Sequence, residues 1–160
     1  MSLPYAADQI GIVVSDIEAG MRRWGQVFGC GPWSVYTYGP AFLRDPTFRG
    51  EEGRFEMRLA LAGSGPQIEL IQPLQGPSLY HEWMDAHGEG LHHIGMRVPA
   101  LDDGIRDMAE RGYAVLQSGR GYGLDGDGGF AYLDTAKDLG VILELIEVPA
   151  RRREPEAVVS

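Results

Sequence analysis

Gln9-Ile10-Gly11-Ile12-Val13-Val14 and His93-Ile94-Gly95-Met96-Arg97-Val98 are one phrase written twice, 84 residues apart. In each copy the large apolar residues fall at alternate positions: Ile10, Ile12 and Val14, then Ile94, Met96 and Val98. That is the period of a β-strand with one face on a core. The offset continues downstream. Ile17, Met21 and Trp24 answer to Leu101, Ile105 and Met108. With Phe28, the first set steps by 4, 3 and 4 residues, the spacing of an amphipathic helix. Asp16 is placed to cap its start and Gly29 its end. A second echo closes each half, Ile68-Glu69-Leu70-Ile71 against Leu143-Glu144-Leu145-Ile146.

Outward from these anchors, residues 33–38, 55–62 and 67–72 read as strands of the first half. The last two are joined by the turn Gly63-Ser64-Gly65-Pro66. Residues 40–53, rich in Gly, Pro and charge, read as a long loop. Residues 77–90 form a linker with a short helix over 79–87. The second half follows with a strand over 92–98 and a helix over 101–111, stopped by Gly112. Further strands lie near 114–117, 130–133 and 141–147. Gly119 to Gly129 holds six glycines but lacks the Lys-Ser/Thr ending of a phosphate loop, so it reads as a flexible rim.

The expected fold is α+β. Two tandem βαβββ modules, 1–76 and 91–149, form one curved eight-stranded mixed sheet with helices on the outer face. A disordered tail, 150–160, follows. One module alone has too little sheet to bury both faces, so the two must share a core.

The formal net charge of −9 argues against a nucleic-acid or anionic-membrane partner, since both call for a basic face. No apolar run approaches the roughly 18 residues of a membrane span. Nor does the N-terminus carry a signal pattern, so a cytoplasmic protein is expected. Cys30 is the single cysteine, which excludes an internal disulfide. It reads as a small hydrophobe at the end of a helix. An open sheet has edges that dimerisation commonly covers, and a homodimer is expected.

Strand parity selects the chemistry. If Ile10 and Ile94 face the helices, Gln9 and His93 face the concave side, and His92 points away from it. Glu69 and Glu144 interrupt apolar runs, where an ionised carboxylate needs a partner. A divalent cation is one such partner; Arg58 and Arg97 across the sheet are the plain alternative. Gln9, Glu69, His93 and Glu144 make an O/O/N/O donor set, suited to one divalent ion such as Zn, Ni, Co or Mn. Two positions of an octahedron would remain for substrate oxygens. Such a site polarises a carbonyl and stabilises an enediolate, with a carboxylate to move the proton. Glu144 is a catalytic candidate for that role. So is Glu56, whose strand parity groups it with Arg58 and Ala60; a solvated carboxylate paired with Arg54 or Arg58 explains it equally well. Trp33, Tyr122, Phe130 and Tyr132 line the cavity or simply pack the core, and His81 and His87 read as surface residues of the linker helix.

These motifs resemble the vicinal oxygen chelate superfamily, which includes glyoxalase I, methylmalonyl-CoA epimerase, extradiol dioxygenases and bleomycin-resistance proteins. The resemblance rests on Asp8-Gln9-Ile10-Gly11-Ile12-Val13-Val14, Gln67-Ile68-Glu69-Leu70-Ile71-Gln72-Pro73, Gly90-Leu91-His92-His93-Ile94-Gly95 and Gly140-Val141-Ile142-Leu143-Glu144-Leu145. It covers most of residues 7–149. The wording is most similar to the epimerase branch, which carries histidine where this chain has Gln9 and glutamine where it has Glu69. The order Gln, Glu, His, Glu instead resembles some eukaryotic-type glyoxalase I enzymes. By analogy, Glu56 would be the acid–base carboxylate of the epimerases, and Glu144 or Glu69 that of glyoxalase I. The resemblance implies an isomerase, epimerase or lyase that moves a proton beside a carbonyl. Its small-molecule substrate would be an α-substituted carbonyl or thioester. Extradiol dioxygenases use two His and a carboxylate, and the first half has no His, which disfavours that branch. A metal-free, drug-resistance-type binding protein is the alternative from another class.

Overall fold

The computed structural model describes residues 6–160. The first half runs β1 (Gln9–Val13), α1 (Ile17–Phe28), β2 (Trp33–Tyr38), β3 (Arg44–Phe48), β4 (Glu51–Glu52), β5 (Glu56–Ala62) and β6 (Gln67–Gln75). Helix α2 (Leu79–His87) leads to β7 (Gly90–Arg97), α3 (Leu101–Glu110), β8 (Val115–Tyr122), β9 (Gly128–Leu133), α4 (Ala136–Leu139) and β10 (Ile142–Glu147). A final strand, β11, spans Ala157–Val159. All join one mixed sheet in the order β11-β2-β5-β6-β1-β7-β10-β9-β8-β3-β4. The repeat is plain within it: β2-β5-β6-β1 is answered by β8-β9-β10-β7 about the β1–β7 seam.

The helices form where their patterns placed them. The Asp16 carboxylate accepts from the Ala19 amide at 3.0 Å, and Gly29 closes α1 with φ 79°, a left-handed cap that suits glycine. Ile17 and Met21 bury against Ile12, Val14, Ala60 and Leu70, while Leu101 and Met108 of α3 bury against Ala131, Leu133 and Leu145. Both helices therefore cover the convex face.

The opposite face curls into a cup. Tyr38 on β2 and Tyr122 on β8 come from opposite ends of the eight repeated strands, yet their rings lie 5.6 Å apart. They share a core with Val13, Met57, Leu59, Leu61, Ile71 and Phe130.

Four expectations need correction. Among the described residues the sheet has eleven strands, not eight, because three short strands extend the repeat at its edges. Two of them, β3 and β4, arise in the stretch expected to be loop: Thr47 pairs with Ser118 and Phe48 with Gln117, so a first-half ribbon caps the second-half edge. The third, β11, lies in the tail expected to be disordered. Ala157 pairs with Val35 and Val159 with Trp33, and the Thr37 amide and hydroxyl both donate to the Glu156 carboxylate, at 2.8 and 3.0 Å. An unpaired edge of β2 was available, and those bonds satisfy it. Finally, α2 is not on the outer face. Leu79 and Tyr80 are buried in the concave core, with Trp83 and Met84 packed against it.

Candidate metal centre

The β1–β7 seam brings the donors together. It is antiparallel, with Gln9 opposite Gly95 and Gly11 opposite His93. Each repeat glycine thus faces the other half's donor. A Cβ on Gly11 would stand 1.9 Å from His93 Cε1, so only glycine leaves room for the imidazole. A Cβ on Gly95 would stand 3.0 Å from Gln9 Cβ and 2.7 Å from Ile146 Cδ1. Parallel pairing then places Glu69 beside Gly11 and Glu144 beside Gly95.

Around this seam, His93 Nε2 lies 2.9 Å from Glu144 Oε2, 3.2 Å from Glu69 Oε2 and 3.2 Å from Gln9 Oε1. Donors held by bonds of ~2.1 Å at right angles around one ion stand roughly 3 Å apart, so this spacing fits a shared cation. Glu69, His93 and Glu144 form the candidate metal cluster among the described residues, and all three are buried. The Gln9 amide donates to Gln67 Oε1 at 3.0 Å, which turns its own oxygen inward. Reversed, its nitrogen would stand 3.1 Å from Glu144 and 3.2 Å from Glu69. The inward oxygen suits a cation at the centre; the inward nitrogen would serve two bare carboxylates.

Burial drives the His93 imidazolium down, but Glu144 and Glu69 outweigh it and hold the pKa up at about 9. Burial pushes the Glu144 carboxyl up, opposed by His93 and by a hydrogen bond from Tyr132. The Tyr132 hydroxyl lies 3.0 Å from the Tyr80 hydroxyl, and burial pushes both phenols well above their ordinary range. Donation from Tyr80 to Tyr132 to Glu144 turns both protons toward the carboxylate.

His92 departs from strand parity. Gly11 pairs with His93 and Ile12 with Leu91, which leaves His92 as the extra residue of a β-bulge. The bulge rotates it to the concave side, where it is wholly buried among Tyr80, Trp83 and Tyr132. Its Nδ1 lies 2.9 Å from His93 Nδ1 and so holds the imidazole from behind. Burial and His93 keep His92 well below the ordinary imidazole range, which leaves it neutral and able to accept.

The cluster forms the floor of a cavity of about 50 Å³, walled by Leu43, Met57, Leu59, Leu61, Phe130 and Ile146 and by the rings of Tyr38, Tyr80, Tyr122 and Tyr132. Gln9, Glu69 and Glu144 line it directly; His93 lies behind them. Trp33 does not reach it and packs beneath α1. Glu56 is set apart. Met57, Leu59 and Leu61 face the cluster, whereas Ala60 packs on the helix side, so the parity that grouped Glu56 with Arg58 and Ala60 gives it no concave position. A register shift between Glu56 and Met57 re-aims the side chain against Gly39. It lines a neighbouring cavity of about 490 Å³ with Arg54, Phe55 and Gln75, and the two cavities share Leu43.

Parity and the repeat pointed to the four donors but not to Tyr80, His92 or Gln67. The first came from a linker, the second from a bulge and the third from a strand end. His92 had one sequence signal, its place next to His93.

A curled sheet of paired modules with donors at the seam defines a class, and sequence comparison agrees. The family model described as the Glyoxalase/Bleomycin resistance protein/Dioxygenase superfamily matches residues 8–132, and the chain belongs to that superfamily. Among curated proteins it is similar to the uncharacterised protein YqjC of Bacillus subtilis, at 28% identity over 140 residues, 88% of this chain and 90% of that one. Among solved structures, a methylmalonyl-CoA epimerase of Streptomyces coelicolor in complex with 2-nitronate-propionyl-CoA superposes with a TM-score of 0.68. Identity there is 22%, over 95% of this chain and 99% of that one. The Mycobacterium tuberculosis epimerase superposes with a TM-score of 0.65 at 23% identity, over 92% and 94% of the two chains. At these identities the likeness concerns the fold. No helix among the described residues is long and apolar enough to cross a membrane.

Proposed function

We propose that the protein is a divalent-metal-dependent isomerase, epimerase or lyase that moves a proton beside the carbonyl of an α-substituted carbonyl compound or thioester. The observation that carries this reading is the convergence of Glu69, His93 and Glu144, with the Gln9 oxygen, on the floor of an apolar pocket. These four would hold one ion, with Zn, Ni, Co and Mn all suited to the set. When bound, the ion would supply Lewis-acid polarisation of a substrate oxygen.

The chain's own residues do the rest. Gln9 and His93 present neutral donors, while Glu69 and Glu144 each turn one oxygen to the centre. Glu144 takes up the substrate's α-proton and returns it. Burial already favours its protonated form, and Tyr132 holds its carboxylate in place. The leucines, Met57 and Phe130 give the reacting atoms an apolar surround. Glu56, in the adjoining cavity, is a second acid–base candidate for substrates long enough to pass Leu43. The fold shared with epimerases solved with CoA thioesters supports a thioester as one substrate type.

The aromatic lining favours a second reading, a metal-free binder of small molecules. Elemental analysis of protein purified without chelator separates the two. The wild type is expected to carry about one ion per chain and His93→Ala none; near-zero metal in both would favour the binder. Solvent deuterium incorporation into thioesters and into hemithioacetals then distinguishes epimerase from glyoxalase chemistry.

A further inference from the structure

Residues Arg151-Arg152-Arg153 form an unbroken run in the tail. Their fates differ. Arg151 pairs with Asp125 through two bonds, at 2.5 and 2.9 Å, and its carbonyl accepts from the Leu124 amide. Arg153 sits in an aromatic nest, its guanidinium carbon 3.9 Å from the Phe42 ring centre, 5.0 Å from Tyr38 and 5.4 Å from Tyr36. It also reaches the Thr37 carbonyl and the Glu156 carboxylate. These contacts tie one side of the tail to the β8–β9 loop and the other to β2. The chain thereby runs from the second half to the first, beside the cavity that Arg152 lines.

Arg152 lies between these anchors and enters the cavity wall, 5.9 Å above the Tyr122 ring. It is half-buried, and no ion pair holds it among the described residues. Among the described residues it is the only Lys or Arg lining that cavity. Glu69 and Glu144 together balance the charge of one divalent ion, so Arg152 leaves the loaded site one positive charge in excess. In a small, apolar cavity such a charge calls for an anion. A planar guanidinium matches a carboxylate in a two-bond fork.

We propose that Arg152 is the substrate-recognition residue for a carboxylate, so that the substrate is a short acid whose carbonyl faces the Glu69–His93–Glu144 cluster and whose carboxylate meets Arg152. This rests on the reading of the cluster as a metal site. Tail and cluster then define the two ends of one substrate. The cavity's size favours a chain of few carbons, and the anchoring of Arg151 and Arg153 fixes the backbone that carries Arg152, which lowers the ordering cost of binding.

Calorimetric titration tests this with pyruvate, acetoacetate and 4-oxopentanoate, each against its neutral methyl ester. Wild type, Arg152→Lys and Arg152→Gln would be loaded with one equivalent of Co²⁺, whose visible spectrum reports site occupancy independently. At least one acid is expected to bind the wild type tenfold or more tightly than its ester. That ratio should fall near one in Arg152→Gln and be partly kept in Arg152→Lys, with unchanged Co²⁺ spectra and thermal melts. An acid preference that survives Arg152→Gln would overturn the proposal, because the ion alone would then hold the carboxylate. So would binding of none of the acids, or a Gln variant altered only in metal affinity, which would make Arg152 a counter-charge for the glutamates. A wild type that takes up no Co²⁺ sinks the metal reading instead and is distinguished by the spectrum.

Discussion

Gln9 and His93 occupy equivalent places on β1 and β7, each facing the other half's glycine, but their surroundings differ. Gln9 is a neutral amide steadied by one bond to Gln67. His93 is an imidazole wholly buried, backed by the bulged His92 and flanked by Tyr132. The carboxylates differ in the same direction, with Glu144 held by Tyr132. The repeat places the four candidate donors symmetrically, and their support is unequal: His92 and Tyr132 back the second half's pair, whereas Gln67 alone steadies Gln9.

A methyl group placed on each seam glycine should separate the two halves most strongly. Gly11→Ala drives a Cβ into a rigid ring, and the expected loss is about 3 kcal/mol of stability together with metal binding. Gly95→Ala meets the end of a flexible Ile146 side chain and should cost roughly 1 kcal/mol. Thermal melts and metal content of the two variants compare them directly; equal losses would show that the halves are equally constrained.

Next in size is removal of the donors themselves. His93→Ala should weaken metal binding by ~100-fold or more and Gln9→Ala by only ~10-fold, read by competition with a chromophoric chelator. A larger effect at Gln9 would reverse that order of support.

The third test uses pH. Without metal, His93 is held as an imidazolium with a pKa of about 9, above the ordinary 6.5. The stability it contributes is complete below pH 6.5 and is lost as pH rises through 9. Metal binding must displace that proton, so metal affinity should rise about tenfold per unit between pH 7 and 9. The metal-free protein should therefore melt earlier at pH 9 than at pH 7, whereas the metal form gains relative to it. Calorimetry in buffers of different ionisation enthalpy would count the released proton; no release would place the titration elsewhere.

Two smaller effects follow. His92→Phe keeps the bulk behind His93 but removes the nitrogen partner, and should weaken metal binding by roughly tenfold. Glu56→Gln lies outside the donor set and should change metal affinity less than about twofold. A comparable loss at Glu56 would draw the adjoining cavity into the cluster.

The convergence of Gln9, Glu69, His93 and Glu144 was legible in the sequence because it rests on two regular signals, the repeat and the alternation of strands. Glu69 and Glu144 stood out as charges inside apolar runs. What alternation cannot express is an interruption of itself. The bulge at His92 and the register shift at Glu56 are properties of inter-strand bonding, and each re-aims one side chain without any composition change. The edge strands were illegible for a related reason. Arg44–Phe48 contains a proline and two charges, and Ala157–Val159 is three residues long; neither has a pattern of its own, and both form because an existing edge supplies their partners. Arg152 fell within the tail expected to be disordered, and the strand pairing that follows it holds that tail against β2.

The crossing of the two ends bears on folding kinetics. A ribbon of the first half caps the second half's edge, and the last strand returns to the first half. Residues 9, 69, 93 and 144 cannot meet until β1 has paired with β6 and β7, and β7 with β10, and these pairings too join residues distant in sequence. A topology so rich in non-local contacts folds slowly. Interactions that form only after the rate-limiting step act on unfolding rather than on folding. Metal should therefore leave the refolding rate nearly unchanged and slow the unfolding rate, making the ion a latch set after the chain has closed.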